Sequence, residues 1–167
     1  MKTQEIIDNA LSYVGEQEKP GNSGFIDPKF EAEMKEEGWQ FGWAWCAVFA
    51  KVVFKNVYPE KSEELNRLFS PSAVVTFRNF RDDSYLINEL PKPGNLVVWQ
   101  KVIEGKKQIQ GHVGIVTKLN SAWEFESVEG NSNDEGGREG KEVALITNRK
   151  VIKDVWTGLK VLGFIQI

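Results

Sequence analysis

The chain has 167 residues, a formal net charge of −3 and a hydrophobic content of 41%. These values fit one globular domain over residues 1–167, and they exclude the strongly basic composition of proteins that bind nucleic acid or anionic membranes through charge. The single cysteine excludes an intrachain disulfide, and one cysteine with one histidine cannot build the usual structural zinc site. We therefore expect no metal and no other cofactor.

The N-terminal segment contains no apolar run of signal-peptide length. No segment of the chain approaches the roughly 20 consecutive apolar residues that a membrane-spanning helix requires. We expect a protein that is synthesised in the cytoplasm without a signal peptide and has no membrane span. Any role outside the cell would then need another export route.

Helical patterns fill the first half of the chain. Five helices are predicted, over 3–14, 28–37, 45–56, 62–69 and 72–79. Asp27 followed by Pro28 is typical of an N-cap with proline in the first helical position. The third segment is apolar on nearly all sides, with only Lys51 and Lys55 as charged breaks, so it should be a central buried helix.

The pattern changes to strands after the stop signal at 91–94. Five strands are predicted, over 95–100, 112–118, 122–128, 142–148 and 159–167. Residues 131–140 are too polar and glycine-rich for a strand, and we predict an exposed, mobile loop there. Helices followed by strands indicate an α+β fold, with the helices on one face of an antiparallel sheet of about five strands.

The lone cysteine, Cys46, lies where an aromatic run gives way to the apolar helix. A thiol at a helix N-terminus faces the positive end of the helix dipole, which favours the thiolate. Together with the lone histidine, His112, on a predicted strand, Cys46 could form a nucleophile pair, with helix-start N–H groups to bind an oxyanion. The structural alternative is a small buried hydrophobic residue and an unrelated core histidine.

A Cys–His pair needs a third group that orients the imidazole. If the strands that carry His112 and Glu129 form a hairpin with its turn near Asn120, these two residues lie roughly opposite each other. Glu124 and Glu126 lie on the same predicted strand, and a slip of one residue exchanges the faces. Glu124 and Glu126 therefore stay open as alternatives to Glu129.

Short motifs in a fixed order carry a resemblance to a known family. They lie at 45–49, 91–98, 111–116 and 128–131, with additional matches at 10–21 and 162–165. The chain resembles the CHAP group (cysteine, histidine-dependent amidohydrolase/peptidase) of the papain-like NlpC/P60 class. The resemblance spans nearly the whole chain and implies a papain-like α+β fold and cleavage of amide bonds in peptidoglycan.

Carried over position by position, the resemblance implies that Cys46 is the nucleophile, His112 the general base and Glu129 the group that orients the imidazole. Asn131 would be an accessory polar residue of the site, although an asparagine there can equally serve a turn. One departure is Asn95, which stands where the family often has aspartate before the first core strand.

The segment before the cysteine offers candidates for a substrate groove. Trp39 and Trp43 can line such a groove or belong to the core, whereas Trp45 is expected in the core. Gln40 lies six residues before Cys46, the offset of the oxyanion glutamine in papain itself. Some CHAP members bind calcium through an acidic loop here, but residues 39–43 carry no carboxylate, so no calcium site is expected.

These features predict a cysteine-dependent peptidoglycan amidase or endopeptidase that acts as a monomer in the cell envelope or on the wall of a target cell. Two settings fit without a signal peptide: an endolysin released through a holin, and a toxin delivered by a secretion system and matched by an immunity protein. The alternatives are a non-catalytic wall-binding module of the same fold and a cytoplasmic papain-like protease.

Overall fold

The computed structural model describes residues 2–132 and 140–167. Five helices come first in the chain, with a short 3₁₀ turn between the third and the fourth. The helices are α1 (Thr3–Ser12), α2 (Pro28–Glu36), α3 (Cys46–Val57), α4 (Ser62–Leu68) and α5 (Ala73–Asp82). Six strands follow: β1 (Leu86–Asn88), β2 (Leu96–Ile103), β3 (Lys106–Leu119), β4 (Glu124–Ser132), β5 (Glu142–Lys150) and β6 (Gly158–Gln166).

The strands form one sheet in the order β1-β6-β2-β3-β4-β5, and all neighbouring strands pair antiparallel. The predicted α+β class and the antiparallel sheet are thus confirmed. The sheet has six strands rather than about five, because β1 adds to its edge beside β6. β1 has only three residues, which is too short to show a periodic pattern in the sequence.

Helix α3 is the centre of the molecule, as its apolar sequence predicts. Nine of its residues are buried, and it packs on β3 and β4. Its two lysines do not break this packing, since Lys51 and Lys55 both reach Glu37 at the end of α2, at 3.1 and 2.5 Å. A helix whose face is buried in this way depends on tertiary contacts more than on helix propensity.

The two faces of the sheet bury different side chains. The helices cover one face, where Leu96, Val98 and Ile115 join the main core. A second apolar cluster lies apart from the helices and is built from strand residues, namely Val97, Trp99, Val116, Phe125, Val161 and Phe164. Because successive residues of a strand point to opposite faces, β2 is buried on both sides and contributes to both clusters.

An aromatic cluster fixes the start of α3 against the sheet. Trp45 is fully buried and packs edge-on against Phe25, with ring centroids 5.1 Å apart. Its indole Nε1 donates a hydrogen bond of 2.5 Å to Glu18. On the sheet side, a Cβ at Gly130 would lie only 2.7 Å from Trp45 and 2.8 Å from Phe49. The absence of a side chain at Gly130 therefore lets α3 approach β4 closely.

The end of β4 differs from the sequence-based expectation. β4 extends to Ser132, so Asn131 and Ser132 are buried strand residues rather than the start of a loop. The rest of the predicted mobile loop, 133–139, lies outside the described residues. The longest described helix, α3, has 12 residues, and none of the described helices has the length and apolar character needed to cross a bilayer.

Candidate active site

Cys46 is the first residue of α3, as predicted. The first turn of any helix leaves N–H groups without intrahelical acceptors, and these groups carry the positive end of the helix dipole. Here the backbone N–H groups of Ala47 and Val113 interact with the Cys46 sulfur. The residue is 5% exposed. The local backbone therefore favours a negative charge on a thiol that is nearly closed off from solvent.

His112 lies on β3 and is completely buried. Its ring stacks on Trp99 of β2, with centroids 5.7 Å apart and planes 29° apart, because the two residues are direct partners across the strand pair. Its Nε2 lies 2.7 Å from Oε2 of Glu129. Nδ1 makes no hydrogen bond of normal geometry within the described residues. Since Cys46 interacts with the ring and Nε2 is taken, Nδ1 is the atom available to the thiol.

Glu129 reaches His112 diagonally rather than from the directly opposite position. Ile115 pairs with Val128, which places Glu129 beside Gly114, two residues along β3 from His112. A Cβ at Gly114 would lie 2.7 Å from Cγ of Glu129. The carboxylate thus crosses the space that a side chain at Gly114 would fill. The predicted partnership is present, whereas the predicted register is wrong by two residues.

Two further side chains hold the Glu129 carboxylate. Arg149 of β5 donates from Nε to Oε1 at 2.7 Å and from Nη2 to Oε2 at 2.5 Å. The hydroxyl of Ser127 donates to Oε1 at 2.6 Å. With the bond to His112, each carboxylate oxygen has two partners, and such bidentate, charge-assisted contacts fix the plane of the group.

Burial opposes charge on these groups, but their mutual interactions outweigh it. Burial alone raises the pKa of the Cys46 thiol, yet the charge and hydrogen bonding of His112 bring that pKa below its ordinary value. Burial lowers the pKa of the His112 imidazole, and Cys46 and Glu129 reverse this to a net rise. Burial raises the pKa of Glu129, and hydrogen bonds from Arg149 and His112 bring it to about 2. The arrangement favours a thiolate–imidazolium pair beside an ionised carboxylate.

These shifts predict an unusual pH dependence for alkylation of Cys46. A lowered thiol pKa and a raised imidazole pKa keep the ion pair populated between the two values, so iodoacetamide should react at pH 6 far faster than the ordinary thiol fraction allows. The rate should fall only where acid protonates the thiolate. Because the chain has one cysteine, the same protein unfolded in urea is the control. A native profile that rises tenfold per pH unit up to about 8.5 would contradict the pair.

The other acidic residues of β4 lie elsewhere. Glu124 pairs with Lys150 at 3.4 Å, and Glu126 pairs with Lys118 at 3.1 Å; the lysine side chains of both pairs are largely exposed. Of the three candidates, Glu129 is therefore the one that the structure brings to His112.

The predicted groove residues have different environments. Trp39 is 4% exposed and packs edge-on against Phe25 at 4.9 Å, which is the core environment that the sequence left open as the alternative to a groove. Trp43 is 40% exposed, and Gln40 is exposed in the same loop. Their contact with a substrate stays a prediction. Trp45 lies in the core, as expected.

Asn131 is buried, at 3% exposure, and its backbone is left-handed, with φ of 54°. Asparagine tolerates this conformation better than most residues. Its carbonyl oxygen accepts a hydrogen bond from the N–H of Gly140 at 3.2 Å. The backbone conformation is thus a sufficient reason for asparagine here, and the accessory role in the site stays a prediction.

A pocket of about 140 Å³ lies beside the start of α3. Ala47, Val48 and Lys51 line it from the helix, and 69–71 line it from the loop before α5. Within 2–132 and 140–167, no group of three or more His, Cys, Asp and Glu side chains is placed to hold a metal ion.

Sequence reasoning missed Trp99, Ser127 and Arg149. The turn at Glu104 and Gly105 indicates that β2 and β3 form a hairpin, in which Trp99 could be paired by counting back from the turn. A β-bulge between Gln100 and Val102 shifts the pairing, so this count does not give His112 as the partner of Trp99. Arg149 and the following lysine are typical of a solvated strand end, and nothing in the sequence indicates that the arginine turns inward.

One of three comparisons with known proteins gives a match. No curated protein and no solved structure gives a significant match to the chain. The family model of the CHAP domain matches residues 36–131, more than half of the chain. This match includes Cys46, His112 and Glu129, and the α+β fold agrees with the papain-like NlpC/P60 class. The chain therefore belongs to the CHAP domain family.

Proposed function

We propose that the protein is a peptidoglycan hydrolase that cleaves amide bonds with Cys46 as nucleophile. CHAP domains are usually amidases or peptidases, and membership of that family supports a hydrolase of this type. The observation that carries the finer assignment is the chain of contacts from Cys46 through His112 to Glu129, whose His112–Glu129 link is 2.7 Å long. A nucleophile, a base and an orienting group in series are the parts that covalent amide hydrolysis requires.

The first half-reaction would acylate the enzyme. The Cys46 thiolate attacks the carbonyl carbon of the scissile amide, and the carbonyl oxygen becomes an oxyanion. The first turn of α3 has N–H groups without intrahelical acceptors, and these would donate to the oxyanion. His112 gives its proton to the amide nitrogen, the C–N bond breaks, and the amine leaves.

The second half-reaction would release the acid. His112, now neutral, takes a proton from a water molecule, whose oxygen attacks the thioester carbon. The C–S bond breaks and regenerates the thiolate, while the imidazolium is restored beside Glu129. In both steps Glu129 keeps the ring oriented and stabilises its positive charge without itself accepting a proton.

The test is digestion of purified sacculi by the wild type and by Cys46→Ala, with mass spectrometry of the soluble muropeptides. The wild type should release fragments whose masses identify the cleaved bond, and Cys46→Ala should release none. Cys46→Ser, which retains a polar side chain but lacks an easily ionised thiol, should also be inactive.

Circular dichroism and thermal unfolding of the three proteins control for loss of fold. Equal fragment release by the wild type and Cys46→Ala would overturn the nucleophile assignment. No release by either protein from sacculi of several peptidoglycan types would overturn the substrate class. Co-sedimentation of both proteins with intact sacculi in that case would favour a wall-binding module instead.

A further inference from the structure

The buried carboxylate of Glu129 has more partners than a His-orienting group alone needs. Arg149 occupies one side of each oxygen through its Nε and Nη2 atoms, at 2.7 and 2.5 Å. The hydroxyl of Ser127 donates a second hydrogen bond to Oε1 at 2.6 Å, and Nε2 of His112 lies 2.7 Å from Oε2. The fork of the guanidinium thereby fixes the plane of the carboxylate, and with it the direction in which Oε2 faces the imidazole.

We propose that Arg149 is a positioning residue of the active site, which keeps Glu129 ionised and aligned and acts through it on His112. The proposal rests on the proposed roles of Cys46 and His112. Arg149 lies on β5, outside the segment that matches the CHAP family model. Its guanidinium binds the carboxylate of Glu129 and lies over the ring of Trp99, and through the carboxylate it acts on His112.

Charge balance gives a first reason. In the reactive state the cluster holds a thiolate, an imidazolium, a carboxylate and the guanidinium, so the two negative and two positive charges cancel. The side chains of His112 and Glu129 are fully buried, and that of Arg149 is 16% exposed. A buried ion that loses its partner is strongly disfavoured. Without Arg149 the cluster would carry a net negative charge inside the protein.

The placement of the guanidinium gives a second reason. Its central carbon lies 4.9 Å from the centroid of the Trp99 ring, and the same ring stacks on His112. Cation–π contact of this kind restricts the arginine head to the plane from which it reaches Glu129. A pocket of about 350 Å³ lies next to this arginine and is lined by Trp99, Asn148 and Lys150, among others. Water can enter there when the side chain is shortened, so variants at Arg149 should fold.

The arginine also decides in which pH range Glu129 stays charged. The charged groups that face the carboxylate are His112 from β3 and Arg149 from β5, while Cys46 at the start of α3 acts on it through His112. Burial pulls the pKa of Glu129 upward, and the two cations hold it at about 2. Removal of Arg149 leaves burial opposed only by His112 and by the hydroxyl of Ser127. The pKa of Glu129 then rises toward the range in which the Cys–His pair forms.

The experiment compares wild type, Arg149→Met, Arg149→Lys and Lys150→Met. The rate of Cys46 alkylation by iodoacetamide is measured from pH 4 to 9, after thermal unfolding has shown that each variant is folded. Lys150→Met is the matched control, because it removes the neighbouring cation, which lines the same pocket and pairs with Glu124 near the surface at 3.4 Å. Alkylation needs no substrate, so it reports on the Cys–His–Glu cluster independently of peptidoglycan.

The acid limb is the part of the pH profile in which the alkylation rate falls with decreasing pH. For Arg149→Met we expect this limb to move to higher pH by about one unit or more and to steepen, since Glu129 and the thiol then take up protons together. At any pH below the wild-type midpoint this corresponds to at least a roughly tenfold slower reaction. Arg149→Lys keeps the charge but loses the fork, so it should keep the midpoint of the wild type and react more slowly at the plateau. Lys150→Met should superimpose on the wild type.

An Arg149→Met profile with an unchanged midpoint would overturn the proposal, even if the rate fell equally at every pH, because a purely structural contribution gives that result. Should Arg149→Met not fold, Arg149→Gln, which retains a polar head, takes its place with the same expected shift. A wild type with an ordinary thiol profile would instead refute the Cys–His pair itself. The failure of this proposal and the failure of the proposed function are therefore separate results.

Discussion

Glu129→Gln is expected to slow hydrolysis of peptidoglycan by about 10²–10⁴-fold, the range that general acid–base catalysis supplies. Glutamine has nearly the shape of glutamate, but it carries no charge to stabilise the imidazolium 2.7 Å away. It also leaves the guanidinium of Arg149 without a counter-charge beside the histidine. Both changes disfavour a proton on His112, and without that proton the thiolate of Cys46 loses its partner.

The same variant should bring alkylation of Cys46 close to that of an ordinary thiol. With a pKa near 8.5, only a fraction of about 1 in 300 of such a thiol is ionised at pH 6, so the rate there should fall by about a hundredfold. Glu126→Gln is the control, because Glu126 lies on the same strand and pairs with the exposed Lys118 at 3.1 Å. Wild-type alkylation at pH 6 by Glu129→Gln would show that the carboxylate does not sustain the pair.

Phe49→Ala is expected to reduce the free energy of unfolding by about 3–5 kcal/mol, the usual cost of truncating a buried phenylalanine. Phe49 is 1% exposed and lies edge-on to Tyr13, Phe30 and Trp45, with centroid distances of 5.7, 6.3 and 6.4 Å. Its Cβ and Cγ also contact the backbone at Gly130. Because these neighbours come from helices, loops and the sheet, no single element can move inward to fill the cavity.

Urea unfolding measures this loss, and a fall in melting temperature of roughly 6–20 °C should accompany it for a chain of this size. The matched control is Phe41→Ala, since Phe41 is 73% exposed and its truncation should change stability by less than about 0.5 kcal/mol. A loss below about 1 kcal/mol for Phe49→Ala would mean that the aromatic cluster does not anchor α3.

The parts of the site that the sequence predicts are those set by local pattern. An apolar stretch with a cysteine at its first turn specifies a buried helix that begins at Cys46, and strand periodicity places His112 and Glu129 on neighbouring strands. These features depend on residue type within one segment. The start of the helix agrees with the structure to within one residue, whereas β3 begins at Lys106, six residues before the predicted start at 112.

The parts that could not be predicted depend on register and on the direction of long side chains. The connection between β3 and β4 spans 120–123, and Leu119 pairs with Phe125, so the turn is centred later than the position near Asn120 and Glu129 lies beside Gly114 rather than opposite His112. A bulge between Val116 and Lys118 changes the pairing by one more residue, in the direction of His112. A second bulge between Phe125 and Ser127 sets the position of Arg149 on β5. Bulges add single residues to one strand and have no reliable sequence signal, so errors of this kind accumulate across the sheet.

The choice between groove and core, which the sequence left open for Trp39 and Trp43, depends on another factor. Three tryptophans lie within seven residues of the chain, at 39, 43 and 45. Although they are the same type of residue, Trp39 and Trp45 are buried and Trp43 is 40% exposed. Which tryptophan turns inward is decided by contacts with Phe25, far from the segment in sequence. Local chemistry therefore identifies an aromatic segment but not the ring that remains free.

The position of Cys46 at the start of α3 also has a consequence for local unfolding. Hydrogen exchange in proteins is slowest where buried packing is densest, and substrate lids usually belong to the least protected regions. Cys46 begins α3, which has more buried residues than any other of the five described helices. The backbone amides of α3 should therefore exchange their hydrogens only when the whole domain unfolds. The exposed segment around Phe41 and Trp43 does not share that protection. If the proposed function holds, substitutions in that segment would change substrate preference without displacing the thiol from its histidine.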